Sequence, residues 1–481
     1  MSLSARKKRV AIRGSTVILV LVFSGIFITL VTSLAGYLFV QQRLHLSKEN
    51  RERAVQIAEA GLDYYKWFLA HYPNDMTDGT GAPGPYLHEY MDPEGGTMGY
   101  FSLEIEGNEV CDSVSSVDIE STGWSVNDPS MQRTVYGRYS RPSVAEYAYI
   151  LNSNVWAGDD RVIIGPYHSN GGIRMDGDNR STVTSGVTSW LCTSSFGCDP
   201  STTEDGIFGI GDQPELWNFP VPPMDFQGIT VDLTAMRDVA DDNGIHLNPY
   251  GGNSDQRGYR LVFKADGTVD VYRVTNTNYV WGYHIDTLEW EREYDRITNQ
   301  QFVGNYTIPS DCPVIFAESK VWVEGVVSGK VTLAAANLTN PNVDLDVILN
   351  GDLTYEELDG SDGLTLVAER SIRIPLLSPS TMNLHGIFIA QKGYFGRNHY
   401  TTSGSNEVPS AYDSYVQQDT LNLIGTIVSN GREATKWTSN GTFVSGYNQR
   451  NNSYDRNLAT NPPPLTPFIS QDYRFIEWRE D

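Results

Sequence analysis

Cys192 and Cys198 enclose five residues of a Ser/Gly-containing loop. Two thiols that close together form a local disulfide in an oxidising compartment. A zinc site would need a second close pair facing them, and the only other cysteines are Cys111 and Cys312, which either pair with each other or stay free. Asp176, Asp178 and Asn179 form an oxygen-rich turn, a weak calcium candidate, and Asp359-Gly-Ser-Asp362 is a second. Neither has EF-hand spacing, and Asp and Gly build turns without a metal, so no cofactor is expected. His168, in Gly165-Pro-Tyr-His-Ser-Asn-Gly171, has neither a nucleophile nor a carboxylate placed beside it by sequence. His88-Glu89 lacks the second histidine of a zinc-protease helix. The acidic residues Asp344, Asp346 and Asp352 are the nearest cluster that could act as the carboxylates of a polysaccharide lyase or hydrolase. Solvated rim positions are the simpler account. No G-x-S-x-G, P-loop or C-x-x-C is present, so no catalytic residue is assigned and the chain is read as no enzyme. Tyr394, Tyr400, Tyr412, Tyr415 and Trp437 lie in polar loops and are expected to be exposed, where they would contact a surface or glycan ligand.

The elements that would position these groups follow from charge and periodicity. The chain has 481 residues and a formal charge of −24, but residues 1–53 carry nine Lys/Arg and two acids. The basic end is thus +7 and the remaining 428 residues are −31. An acidic body argues against a nucleic-acid partner, and four cysteines in this length exclude a small disulfide scaffold. No charge lies between Arg13 and Arg43. The run of residues 15–42 is long enough to cross a bilayer as a helix. Its basic flank predicts a cytoplasmic amino terminus and an extracytoplasmic body. A secretory signal would be shorter and followed by a small-residue cleavage site. Beyond the run, Leu44, Ala54, Ile57, Ala58, Gly61, Leu62, Tyr65 and Phe68 recur at helical spacing, with no proline before Pro73. Span and stalk are therefore predicted as one helix of about 57 residues, roughly 85 Å long.

These residues resemble a known family. Arg13-Gly14-Ser15 ahead of the apolar run resembles the class III signal of type IV pilins. Ala54-x-x-x-Ala58-Glu59-Ala60-Gly61-Leu62 resembles the stalk signature of PilX-type minor pilins. The resemblance implies cleavage by prepilin peptidase after Gly14, methylation of Ser15, and docking through the helix (Leu19, Ala58, Glu59, Gly61) onto other pilin subunits and a membrane assembly platform. Major pilins carry Glu at the fifth position after the cut; Leu19 stands there instead. That departure fits a tip or minor subunit, and equally a permanently anchored surface protein that never joins a filament.

After Pro73 the pattern turns to short apolar runs divided by Gly, Asn and Asp. Residues 73–144 are expected to be a linker and a small membrane-proximal β-sheet. Residues 145–190 are expected to hold opening rungs of a parallel β-helix or solenoid. Residues 191–310 read as an α+β insertion with a helix near residues 233–241 and a hairpin turning at Asp266-Gly267. Residues 311–430 continue the solenoid, and residues 431–481 are a C-terminal extension after it. The spacings Ile348 to Leu366, Leu366 to Phe388 and Phe388 to Ile427 are 18, 22 and 39 residues, read as one, one and about two rungs. The runs are continuously apolar, as buried parallel strands are. Gly165–Gly171, Phe263-Lys-Ala-Asp-Gly267 and Glu324-Gly-Val-Val-Ser-Gly329 resemble exported β-helical proteins of unknown role that follow PilX-like amino termini in bacteria.

Overall fold

The computed structural model describes residues 15–111, 113–228, 232–251, 256–340, 343–470 and 472–480. The leader, with Gly14, lies outside them. Ser15–His71 form a single helix, α1, of 57 residues. Nothing in the run breaks it, since proline is absent until Pro73 and the long stretch of Leu, Ala and charged residues favours helix. Its apolar amino-terminal window has a mean hydropathy of 2.7 and is uncovered by the other described residues. Its second half is amphipathic and covered.

What covers it is an antiparallel meander of β1 (Tyr86–Met91), β2 (Thr97–Val110), β3 (Ser113–Ser125) and β4 (Asp128–Ser140). The sheet does not end at β4. The strand Arg474–Glu480, from the far carboxy terminus, pairs antiparallel with it. Everything between residues 140 and 474 is thus inserted between two adjacent strands of one sheet. The two connections are clamped where they leave. Val144 N donates to Pro467 O at 3.1 Å, Ile469 N donates to Pro142 O at 2.9 Å, and the Arg141 guanidinium lies 4.2 Å over the Phe468 ring.

The inserted body is made of parallel columns. The longest stacks, in space, Ile245–Leu247, Val314–Ala317, Lys330–Ala335, Gly363–Ala368, the second half of Thr381–Ala390 and the second half of Gln417–Ser429. It continues through Tyr149–Leu151, Tyr167–Ser169, Val183–Ser185 and Trp217–Asn218, all parallel. A second column carries Gly258–Lys264, Lys320–Val327, Val347–Tyr355, Ile372–Arg373 and Phe395–Gly396. A third joins the first halves of Thr381–Ala390 and Gln417–Ser429 to Thr442–Ser453, Arg161–Ile164 and Asp178–Asn179. The chain therefore enters the stack in its middle at Tyr149 and builds outward to Asn218. It then crosses to the opposite end, where the helix Leu233–Asp242 packs on Ile245–Leu247 and Val314–Ala317. From there it winds back until Ile427 pairs with Tyr149.

Two spacings differ from their sequence reading. Leu366 pairs with Phe388 and Phe388 pairs directly with Ile427, so the 39-residue gap is one turn that carries a long excursion, not two turns. Ile348 pairs with Trp322 and Arg373, whereas Leu366 lies in another column beside Leu333. The 18-residue interval therefore steps between columns. Apolar runs suit these positions because both faces are covered. Gly363–Ala368 is buried at every residue, with the carboxy-terminal segment laid over it through Leu458 and Pro463. Each fully buried Leu, Ile, Val or Phe contributes about 1.5–3 kcal/mol over leaving it in water.

Both cysteine pairs are bonded: Cys192 to Cys198, and Cys111 to Cys312 across a separation of 201 residues. The second bond ties the β2–β3 end of the head sheet to the body. Cys111→Ser is expected to destabilise the chain by about 2–4 kcal/mol, read as a lower urea midpoint. A wild-type midpoint that ignores reductant would refute a structural role for the bond.

Candidate functional site

Two places concentrate unusual chemistry: the seam between α1 and its sheet, and a buried charge cluster under the hairpin arm of the body. The seam is built from small residues. Ala54, Ala58 and Gly61 are buried on the face of α1 that meets β2 and β3. A Cβ on Gly123 would fall against Ala58 N and within 2.5 Å of Ala54 O. One on Gly61 would meet Ser121 Oγ and lie 2.9 Å from Phe101 Cδ2. Around this contact Leu62, Tyr65, Phe68 and Leu69 bury against Phe101, Leu103, Val117, Ile119 and Val135. Tyr139 OH donates to Leu62 O at 3.0 Å. Helix and sheet can approach this closely only because glycine and alanine stand where they cross.

The sequence-singled residues of the helix are thus placed on different surfaces. Ala58 and Gly61 face the chain's own sheet, whereas Glu59 is exposed. Leu19 is 54% exposed within the uncovered apolar half, and Ser15 is the first described helical residue. Among the described residues, a Cβ on Gly25 or Gly36, in the same half, would meet nothing within 4 Å.

The two aspartates of the oxygen-rich turn are engaged by protein donors. Asp176 Oδ2 accepts from Trp156 Nε1 and Arg174 Nε, both at 2.8 Å, and Asp178 pairs with Arg180 at 2.9 Å. Among the described residues no group of three or more His, Cys, Asp or Glu is arranged to hold a metal. His168 is buried between Thr184 Oγ1 at 2.8 Å and Asn170 Oδ1 at 2.9 Å. Burial holds its imidazole pKa below the ordinary value. Asp344, Asp346 and Asp352 face different partners: Lys392, the Arg370–Arg373 pair and Asn383. The aromatic expectation needs correction: Tyr394 and Tyr400 are buried, at 1% exposure each. Their hydroxyls are drawn inward by Asn398 Oδ1 at 2.8 Å and Glu293 Oε2 at 2.6 Å.

Those two tyrosines lead to a charge cluster that motif reasoning missed. The hairpin arm is made of Thr268–Tyr283 and Trp290–Thr307. It lays Glu293 and Asp295, two residues apart on one strand, against the second column. There Arg373 reaches Asp295 at 3.0 Å, Asp346 at 3.1 Å and Glu293 at 3.7 Å. Lys320 Nζ bonds Asp295 Oδ1 at 2.8 Å, and Arg370 grips Asp346 through two donors. Glu293 also accepts from Asn398 Nδ2 at 2.6 Å, and His284 Nε2 lies 3.2 Å away. Burial alone would raise Glu293. His284, Arg373 and Tyr400 outweigh it and bring the carboxyl down to about 2. Asp346 is likewise held well below the usual range: burial opposes ionisation, but Arg373 and Arg370 dominate. The signal available in the sequence was Arg373, set between Ile372 and Ile374 in an otherwise apolar strand. A charge at such a position stays buried only with partners.

Arg397 is a second buried cation. It is fully buried and donates to the carbonyls of Tyr415 at 2.6 Å, Leu376 at 3.2 Å and Val416 at 3.3 Å. It lies 4.9 Å from the Tyr400 ring centroid. It pins the excursion that follows Phe395–Gly396 to the body.

No protein-family model matches the chain, and no curated protein matches it. Among solved structures, the chain is similar to the competence-associated pilin ComZ from Thermus thermophilus. The alignment covers 90% of this chain and 97% of that one, at 14% sequence identity and a TM-score of 0.29. A likeness at that TM-score carries no argument, so the reading rests on the chain's own helix, sheet and body.

Proposed function

We propose that the chain is a minor pilin-like subunit of a type IV pilus-like filament, anchored by α1 and displaying its body as a β-solenoid for adhesion or assembly. The observation that carries this is the division of α1. One unbroken helix leaves its apolar half uncovered and uses its other half to close a sheet. A bilayer or the helices of neighbouring subunits would cover the uncovered half equally well. In this reading the amino terminus is cytoplasmic, prepilin peptidase cuts after Gly14, and Ser15 becomes the methylated first residue. The partners are other pilin subunits and the membrane platform.

The test is the amino-terminal mass of protein taken from cells with an active prepilin peptidase. The expected species begins at methylated Ser15 and appears among sheared surface filaments. Gly14→Val is expected to keep its leader and stay in the membrane fraction. An intact leader in the wild-type chain overturns the proposal. Leu19 supports a second reading, a permanently anchored surface protein, because no carboxylate stands there to pair with a neighbour's amino terminus. Processed protein that never reaches the sheared fraction favours that reading.

A further inference from the structure

Strand alternation turns Val280, Glu293 and Asp295 of the hairpin arm inward, where they are buried, and sends their neighbours outward. The outward residues are Tyr279, Trp281 and Tyr283 on one strand and Trp290, Arg292 and Tyr294 on the other. Tyr283 is paired with Trp290 and Trp281 with Arg292. Ring centroids are 5.7 Å apart for Tyr283 and Trp290 and 5.6 Å for Tyr279 and Tyr294. The Arg292 guanidinium lies 4.7 Å over the Tyr279 ring and 5.2 Å over Trp281. At the body end the strip runs on through Trp437, 6.0 Å from Tyr283, and His399, 5.7 Å from Trp437. Three of the chain's 10 tryptophans therefore stand in one strip. Tyr279 and Arg292 are exposed and the other rings half-buried. From Tyr279 to Tyr283 the strip spans about 13 Å at about 3.3 Å per residue.

We propose that this strip binds a neutral oligosaccharide, a stretch of uncharged surface polysaccharide lying along the arm. Its chemistry selects that class. None of the six outward positions is Leu, Ile, Val, Met or Phe, so the strip offers ring faces with polar rims and lacks the aliphatic surface that a bilayer would bury. Among the described residues the hydroxyls of Tyr279, Tyr283 and Tyr294 and the indole N–H groups of Trp281 and Trp290 have no hydrogen-bond partner, and none is closed off from water. A ligand that fits must bring C–H faces for the rings and oxygen acceptors for those donors, repeated along its length, and a sugar chain brings both. Charge selects against an acidic chain. The strip's one cation, Arg292, is outnumbered by Asp286, Glu289 and Glu291 in and beside the adjoining turn, in a protein whose total is −24, and such a surface repels a polyanion. The proposal rests on the display role of the body and does not depend on whether the chain enters a filament.

The test titrates full-length chain, held in micelles of a detergent without a sugar headgroup, with the hexamers of β-glucan, chitin, starch, mannan and xylan. Calorimetry and tryptophan fluorescence read the binding. At least one of these neutral hexamers is expected to bind, and at least about tenfold more tightly than its dimer, which engages fewer of the rings. Oligogalacturonate and a polyproline peptide are the charged and the peptide competitors, and both are expected to bind at least about tenfold more weakly. Trp281→Ala should lower hexamer affinity by a similar factor. Tyr279→Ala, at an exposed position that leaves the core untouched, should lower it as well. Phe302→Ala, exposed toward the other end of the arm, should keep wild-type affinity. Binding by none of the neutral hexamers overturns the proposal, as does tighter binding of oligogalacturonate or polyproline, equal affinity for hexamer and dimer, or wild-type affinity in both Trp281→Ala and Tyr279→Ala. Failure here leaves the filament reading intact. Absence from sheared filaments, conversely, leaves this binding result intact.

Discussion

Gly123→Val is expected to detach α1 from its sheet and to cost the chain about 3 kcal/mol, at the upper end of overpacking penalties. The new side chain would point at backbone, not at a flexible tip: its Cβ alone falls on Ala58 N and within 2.5 Å of Ala54 O. A helix backbone cannot bend away locally without breaking its own ladder, so the whole stalk must shift. Gly99 and Gly61 tighten the same seam, Gly99 against Ile57 Cδ1 at 2.5 Å. A shift would uncover Leu62, Tyr65 and Phe68, which are otherwise buried. The measurement is a urea titration followed by tryptophan fluorescence, since Trp124 is next to Gly123. Gly251→Ala is the control. Among the described residues a Cβ there meets nothing within 4 Å, and the change should stay within about 0.5 kcal/mol. A valine variant with the wild-type midpoint would show that the seam does not hold the stalk. If α1 carries the chain into a filament, the same variant should also be missing from sheared fibres.

Arg373→Met is expected to cost about 3–5 kcal/mol at neutral pH, because it strands buried carboxylates that shared one guanidinium. Methionine fills much of the volume but carries no donors. Asp346 keeps Arg370 and Asp295 keeps Lys320, whereas Glu293 is left with His284, Asn398 and Tyr400. The pH dependence separates this from a mere packing defect. Glu293 has a usual value of 4.5 and is brought to about 2 in the folded chain, and Asp346 is lowered as well. A carboxyl whose folded pKa lies below its unfolded one stabilises the fold fully above the unfolded value. That contribution is lost as pH falls from about 4.5 through about 2. Removing Arg373 takes away a principal cause of both shifts, so the acid-unfolding midpoint should move upward by about one pH unit. Circular dichroism between pH 7 and pH 2 reads it. An unchanged acid midpoint in the variant would mean that Arg373 does not keep these carboxylates ionised.

The two changes differ in how far they could have been foreseen. Ala54, Ala58 and Gly61 stand at helical spacing, so a small-residue face on the stalk was legible. That it meets Gly123 and Gly99 was not, because strand glycines announce close approach without naming the neighbour. Likewise Arg373 sits between isoleucines in the sequence, but nothing local to Glu293 or Asp295 marks either as its partner. Their strand is long, alternating and half exposed, and alternation does not tell which face another element will cover. Tyr394 and Tyr400 were misplaced for a related reason. Their loop is rich in polar residues, and local polarity gave no sign that Glu293 and Asn398 would receive their hydroxyls.

By itself the sequence determined what depends on neighbours a few residues apart. The uncharged run and its basic flank define the long helix. The absence of proline before Pro73 sets its length, Asp266-Gly267 turns the hairpin, and continuous apolar runs mark strands buried on both faces. Only the tertiary structure decided the insertion of the whole body between β4 and Arg474–Glu480. It also decided the closure of Ile427 onto Tyr149, the bond from Cys111 to Cys312 and the gathering of carboxylates around Arg373. The physical reason is common to all four. Helix and turn signals are written in periodicities of two to five residues, set by backbone geometry. A contact between residues tens to hundreds of positions apart leaves no such period. It is settled by which apolar faces and which charges can be buried together at once.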